Sequence, residues 1–482
     1  MLFNSFQFSI FLPIVFLLYW ILAKRKLQYQ NVLLLIASYF FYACWDYRFL
    51  FLLIFSTLLD YYSGLKISNA ISKQTKRIWL LISVIINLGF LGLFKYYNFF
   101  IASLTEAMAQ IGLHLDWVTM KVILPVGISF YTFHGLSYVF DIYNNKIKPE
   151  KNFIVYSVFV SFFPLLVAGP IERATHLLPQ IKKERTLNYI KAIDGLRQIL
   201  WGLFKKVVIA DSCAVYANSI FNNYHSFNGS TIFLGAVFFT VQIYCDFSGY
   251  SDIALGTARL FGIDLLRNFA FPFFSRDIAE FWRRWHISLS SWFKDYLYIP
   301  LGGSKGNTLM KVRNTFIIFL VSGFWHGANW TFIVWGLLNA LYIMPSIVFN
   351  TNRNNIDIVA KGHLLPSIKD TVNMVCTFLL TVFAFIFFRA SDMQVAVGMI
   401  AKLFSTSLIE KPHYIDNGFS FITISLLCIF IVIEWLGREN EFAIQTMGLK
   451  WKMPLRWGFY YALILAIFLY AGGQQQFIYF QF

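Results

Sequence analysis

Apolar residues run along this chain in long blocks, many close to the ~20 residues that a straight bilayer-spanning helix needs. Candidate spans lie at about 6–22, 31–45, 49–65, 78–94, 122–142, 153–170, 231–247, 315–348, 371–388, 420–436 and 456–471. Together they predict an all-α, polytopic integral membrane protein with about ten to twelve crossings, the 315–348 block reading as two broken helices. Some blocks are interrupted by Pro and Gly, as in LPVGIS and FFPLLVAGP. Such breaks at membrane depth survive only inside protein or beside a water-filled cavity, so a cavity is expected. Two stretches are amphipathic rather than spanning. In 186–210, Ile190, Ile193, Leu196, Leu200, Leu203 and Val207 recur at three- and four-residue steps, with Lys191, Arg197 and Lys206 among the polar positions. That pattern predicts an interfacial or re-entrant helix. In 277–297, Phe281, Trp282, Trp285, Leu289, Trp292, Phe293 and Tyr296 form one stripe opposite Arg283, Arg284, Ser290, Ser291, Lys294 and Asp295. Segments 100–120, 349–370 and 405–418 are polar connections, and no internal repeat is visible, which weakens a transporter reading.

Composition agrees with this pattern. Of 482 residues 58% are hydrophobic and only 13% charged, against about 25% charged in soluble domains. The net charge of +16 sits in short clusters between apolar runs, which argues for topology signals and anionic headgroups and against nucleic acid. Lys24–Lys26 and the Lys66, Lys73, Lys76 and Arg77 group read as cytoplasmic, which places the N-terminus outside. Lys450, Lys452 and Arg456 precede the last span, which puts 472–482 outside as well. The first apolar run lacks a basic leader and reads as a first transmembrane helix rather than a cleavable signal. Five scattered Cys without pair spacing argue against a disulfide framework or a zinc site.

The candidate chemistry lies in imidazoles at membrane depth. RNTFIIFLVSGFWHGANWTFIVWGLLNA carries His326 beside Gly323 and Gly327, and on helical spacing Ser322, Asn329 and Trp330 share its face. An ionisable group there is costly and marks a functional site by default; the alternative is a His bonded to a neighbouring helix. In DIAEFWRRWHISLSSWFKDYLYIPLGG, His286 follows Arg283 and Arg284. The Arg pair suits a donor's phosphates, or simply the polar face of an interfacial helix. Gln242, Asp246 and Asp252, and Glu172 with Arg173, are polar positions in or beside apolar runs. Asp246 or Asp252 pairing with Arg259 or an Arg of 283–284 is the structural reading; a carboxylate orienting a catalytic His is the functional one. His134 reads as a core or cavity-lining residue, and the remaining His, in polar loops, carry no signal. P-loop, GxGxxG and HExxH motifs are absent, and the one GxSxG string, at 302–306, follows an amphipathic helical stretch in an all-α chain rather than a strand. What remains is an imidazole removing a proton from an alcohol as it attacks an activated acyl carbonyl, with no metal and no Ser or Cys intermediate.

FWRRWHISLSSWFKDYLYIPLGG followed by SGFWHGANWTFIVWG closely resembles the signature of the membrane-bound O-acyltransferase family. The bacterial branch that includes the alginate O-acetylation membrane subunit is the most similar, and LPVGISFYTFHGLSYVFDIY, FFPLLVAGPIER and YCDFSGYSDIALG resemble its blocks in the same order. The resemblance implies one membrane domain over 1–482, with a core motif region at about 122–340 and an aromatic tail at 472–482. It implies a funnel-like fold of eleven to twelve helices with a tunnel through a thin floor, in a bacterial inner membrane. It further implies that the catalytic His falls on His326 and the second motif His on His286; Arg283, Arg284, Trp325, Asn329 and Asp246 are the supporting candidates that the residues themselves offer. No cofactor is implied; acetyl-CoA or another acyl thioester would be the co-substrate. An exported SGNH-type partner would complete transfer to a polysaccharide. The ending FIYFQF resembles an aromatic motif of envelope-acylation systems, so Tyr479 is a candidate acyl carrier, against the alternative of an interfacial anchor. D-alanyl transfer to teichoic acid, acylation of a lipid or protein, and a transporter are the competing readings.

Overall fold

The structure is a computed structural model and describes residues 1–113, 124–167, 169–413, 419–473 and 475–478. Regular structure among them is helical throughout. The chain forms two compact units, one of Met1–Gly195 with Thr257–Leu266 and the other of Leu196–Gly256 with Arg267–Phe482. Six helices among the described residues are long and apolar enough to cross a membrane: Tyr47–Asn69, Lys73–Gln110, Gly229–Leu260, Trp330–Val348, Ile368–Arg389 and Met453–Gly473. Phe6–Leu22, Met393–Leu403 and Phe421–Gly437 are shorter apolar helices.

In the first unit, α1 (Phe6–Leu22), α2 (Leu27–Ala43), α3 (Tyr47–Asn69) and α4 (Lys73–Leu91) follow one another closely. Ser5, Asp46 and Ser72 cap α1, α3 and α4 by accepting from the backbone amides of Phe8, Arg48 and Thr75, which satisfies donors that a helix start leaves open. Against α3 packs α5 (Ile128–Tyr143). The approach is close because Gly64 has no side chain: a Cβ there would lie 2.7 Å from the Tyr138 ring. Asp60, buried on α3, accepts from Ser83 Oγ at 2.6 Å and Asn87 Nδ2 at 2.8 Å, both on α4. An acid at this depth needs such partners. The interrupted blocks break where Pro and Gly predict. Residues 153–170 form two short helices, Phe153–Ser161 and Phe163–Leu166, and Gly127 opens α5 at φ 74°. A side chain at Gly127 would run into the Leu166 carbonyl. His134 belongs to this unit, fully buried with its ring 6.0 Å from Phe159, in keeping with a core role.

Glu172 and His176 also belong here. Glu172 is buried, accepts from the Leu266 amide through Oε1, and bonds His176 Nδ1 at 2.7 Å through Oε2. His176 sits on α6 (Ala174–Lys182), and the carboxylate raises its pKa above the ordinary 6.5. Because the folded value is the higher one, the stabilisation is full below pH ~6.5 and is lost as pH rises through the raised value. We therefore expect His176→Gln to lower the thermal midpoint in acid, with the gap from wild type closing in alkali. Midpoints measured at about pH 5.5 and about pH 9 check this, and a gap that widens in alkali contradicts it.

The second unit holds the end of α7 (Tyr189–Leu203), most of α8 (Gly229–Leu260), then α9 (Ile278–Arg284), α10 (Ile287–Phe293), α11 (Thr308–His326), α12 (Trp330–Val348), α13 (Ile368–Arg389), α14 (Phe419–Gly437) and α15 (Met453–Tyr470). The amphipathic reading of 186–210 holds for α7, where Ile190, Ile193 and Leu196 are exposed. It fails at its C-terminal end. Phe204–Ala210 winds as a π-helix, and Lys205 and Lys206 are buried rather than solvated. At this level Gly202 and Gly249 meet, and a Cβ on either would fall within 3 Å of the other's carbonyl. That contact brings the two lysines against α8.

Candidate active site

The helical hairpin α11–α12 positions His326. It crosses at Gly323 and Gly336, where a Cβ on Gly323 would strike the Phe332 carbonyl and one on Gly336 the Phe319 carbonyl. α11 ends at His326, because Gly327 is extended at φ −165° and Asn329 starts α12. Asn329 Oδ1 accepts from the Thr331 amide at 3.0 Å, and its Nδ2 donates to the Ser391 carbonyl at 2.7 Å. The expectation that Asn329 and Trp330 share a helical face with His326 is therefore corrected: the helix stops between them, and Trp330 is exposed. The two-helix reading of 315–348 holds.

His326 is buried in an aromatic box. Its ring centroid lies 4.9 Å from Trp325, 5.1 Å from Trp335 and 5.1 Å from Phe388, all tilted edge-on. As the last residue of α11 it stands at a helix C-terminus, whose partial negative charge favours a cation formed there.

His286 reaches the same place by a different device. The expected continuous helix over 277–297 breaks at Trp285–His286 into α9 and α10, with His286 at φ 43°, ψ 51°. A left-handed backbone is uncommon for a residue with a Cβ and costs about 1–3 kcal/mol, so surrounding bonds must hold it. They come from segment 268–270: the Ile287 amide donates to the Asn268 carbonyl at 2.9 Å, Ser288 Oγ donates to Asn268 Oδ1 at 2.6 Å, and the Ala270 amide donates to the Arg284 carbonyl at 2.9 Å. The kink turns His286 from the helix boundary into the interior, 1% exposed, with its ring 4.7 Å from Phe247. Phe269 and Trp325 also flank it, at 6.5 and 6.2 Å. One indole thus touches both imidazoles.

The arginines are engaged elsewhere. Arg283 donates to the carbonyls of Asn352 and Asn355 at 2.7 and 2.6 Å. Arg284 donates to Glu280 Oε1 at 2.6 Å and to the carbonyls of Ala270 and Asp357. They clasp the 350–357 loop and brace the His286 kink.

Asp246 was expected to pair with Arg259 or an Arg of 283–284, and its partner is instead Lys206, at 2.8 Å. Asp252 pairs with Lys205 at 2.6 Å, and Arg259 with Asp194. Lys206 Nζ also bonds Asp211 Oδ1 at 2.8 Å and donates to the Gln475 carbonyl at 3.0 Å, which uses all three of its donors. Asp246 Oδ2 accepts from the Ile478 amide at 2.7 Å. Lys206 and Asp246 therefore hold the C-terminal tail inside the second unit. Phe477 and Ile478 are fully buried; the Phe477 ring lies 4.4 Å from Tyr250 and 6.2 Å from Phe247, the residue that abuts His286. Tyr479 lies outside the described residues. Lys206 is the residue that sequence reasoning missed. Its available signal was a Lys pair next to VVIA, opposite a helix carrying two acids.

Set beside known proteins, the chain matches a family described as MBOAT, membrane-bound O-acyltransferase family, over residues 55–388, a range that contains both imidazoles. The chain belongs to the membrane-bound O-acyltransferase family. It is 40% identical to "Probable alginate O-acetylase AlgI" of Pseudomonas aeruginosa over 451 residues, covering 93% of this chain and 83% of that protein. It is 34% identical to "Peptidoglycan O-acetyltransferase" of Helicobacter pylori, covering 100% of this chain and 98% of that one. "Teichoic acid D-alanyltransferase" of Bacillus subtilis is more distant, 28% identical over 45% of this chain. The protein is thus a multi-pass membrane O-acetyltransferase, and the transporter reading falls.

Proposed function

We propose that this acetyltransferase moves acetyl groups from a cytoplasmic acyl thioester, acetyl-CoA, to a glycan polymer outside a bacterial inner membrane, with both chain termini on the outer side. The observation that carries this reading is the convergence of His286 and His326 on Trp325, next to a C-terminal tail anchored by Lys206 and Asp246. His326 acts as general base. A hydroxyl oxygen attacks the thioester carbonyl carbon, its proton passes to the imidazole, the C–S bond breaks, and the departing thiolate takes the proton back. The α11 C-terminus stabilises the imidazolium while it exists. His286, held in place by its kink, positions the reacting groups.

The first acceptor in this reading is the phenol of Tyr479, the residue after buried Ile478. Acetyl passes onto the tail, and an exported SGNH-type partner then takes it to the polymer. Acetyl rather than D-alanyl is favoured because the O-acetylating relatives match along most or all of the chain, whereas the D-alanyltransferase covers less than half. Those two relatives are named for alginate and for peptidoglycan, which supports a glycan hydroxyl as the final acceptor.

Mass spectrometry of the C-terminal peptide, after incubating the purified protein with labelled acetyl-CoA, tests the carrier step. We expect one labelled acetyl group on wild type and none on Tyr479→Phe, with polymer acetylation lost in cells carrying that variant. Unchanged polymer acetylation in Tyr479→Phe would end the carrier role.

A further inference from the structure

A cavity of about 660 Å³ opens beside α11 and α12 at the ends remote from His326, well within the size range of ligand sites. Lys294, Lys311 and Arg353 line it, and no acidic residue does. Among the described residues, none of these three cations forms an ion pair. Its other wall is apolar, made by Ile318 and Phe319 of α11 with Ile343 and Ile347 of α12. The cavity therefore joins a three-fold positive rim to a greasy floor, which suits a molecule with several phosphates at one end and a long, weakly polar arm at the other.

The floor points at the chemistry. The Phe319 ring lies 5.1 Å from Trp282, Trp282 lies 5.7 Å from Trp335, and Trp335 lies 5.1 Å from His326. Along α11, Lys311 stands four turns before His326, about 22 Å at the helical rise. That separation suits a thioester carried on an extended arm and is far too long for a bare acetyl group. Arg283 also gains a purpose: by bonding the carbonyls of Asn352 and Asn355 it fixes the loop that carries Arg353 to the rim.

Resting on the acyl-transfer reading above, we propose that this cleft binds the phosphate-bearing half of the thioester donor, with Lys294, Lys311 and Arg353 as its anion clamp. The phosphate role suggested by sequence for Arg283 and Arg284 passes to these three. Arg283 is a positioning residue for the clamp, and the donor's arm follows the Phe319–Trp282–Trp335 ring line toward His326.

Titration of the full-length protein in phosphatidylcholine nanodiscs with coenzyme A, the free thiol, tests the clamp. The triple variant Lys294→Gln, Lys311→Gln, Arg353→Gln is expected to bind at least about tenfold more weakly, and added salt is expected to weaken wild type toward it. Lys305→Gln, a nearby cation outside the cleft, is expected to bind like wild type, and Lys294→Arg with Lys311→Arg and Arg353→Lys to retain most of the affinity. Wild-type coenzyme A affinity in the triple Gln variant overturns the proposal. So does a triple variant that loses only a preference for phosphatidylglycerol over phosphatidylcholine, since the cleft is then a lipid site. A wild-type protein that binds no coenzyme A at all removes the donor assignment itself, together with the clamp.

Discussion

Replacing His326 with alanine is expected to lower the rate of acetyl release from labelled acetyl-CoA by about 10²–10⁴-fold, the usual loss when a general base is removed, while the protein still folds. The fold is expected to survive although the imidazole fills a box of Trp325, Trp335 and Phe388. The α11–α12 crossing depends on Gly323 and Gly336, which the substitution leaves untouched. Stopped-flow or filter measurement on purified protein checks the rate, and the thermal midpoint checks the fold. A variant that unfolds, or one that turns over at the wild-type rate, contradicts the assignment.

The second large effect is at Lys206. This ammonium, 1% exposed, faces the carboxylates of Asp211 and Asp246 and the carbonyl of Gln475. Lys206→Met leaves two buried carboxylates without their cation, a loss of about 3–5 kcal/mol for a buried pair broken from one side. That is a large share of a domain's total stability. It also removes the bond from Lys206 to the Gln475 carbonyl that helps to seat the tail. We expect a marked fall in thermal midpoint, proteolytic release of the C-terminal peptide, and loss of activity. Lys206→Met combined with Asp246→Asn and Asp211→Asn is expected to recover much of the midpoint, because the uncompensated charges are then gone, without recovering activity, because the tail bonds are still weakened. A single Lys206→Met variant with a wild-type midpoint and a protected tail would contradict this role.

Much of this was legible in the chain. The two His blocks, the division of 315–348 and the interrupted membrane blocks follow from hydrophobic length and from Gly and Pro, which act locally. Other features were not, and the reasons are physical. Reading 186–210 and 277–297 at 100° per residue presumes an unbroken α-helix. A π-turn at Phe204–Ala210 rotates the register and carries Lys206 inward. A left-handed residue at His286 turns its ring from the edge of a stripe into the core. Neither deviation has a strong sequence signature, since φ > 0 normally advertises itself as Gly or Asn. Asn329 looked like a neighbour of His326 on helical spacing, yet it is the cap of the next helix, a role that Asn favours. Arg283 and Arg284 look available for phosphate, but the 350–357 loop takes both and Glu280, one turn back on the same helix, pairs Arg284; the loop partners lie 69 to 73 residues away and are invisible to local pattern.

The central claim is that His326 performs acetyl transfer for an external glycan, and the O-acetyl content of that polymer measures it most directly. In cells whose only copy of this protein is His326→Ala, present in the membrane at wild-type level, proton NMR of the purified glycan should show its ester acetyl signal lost. Acetylation at the wild-type level in those cells would contradict the account.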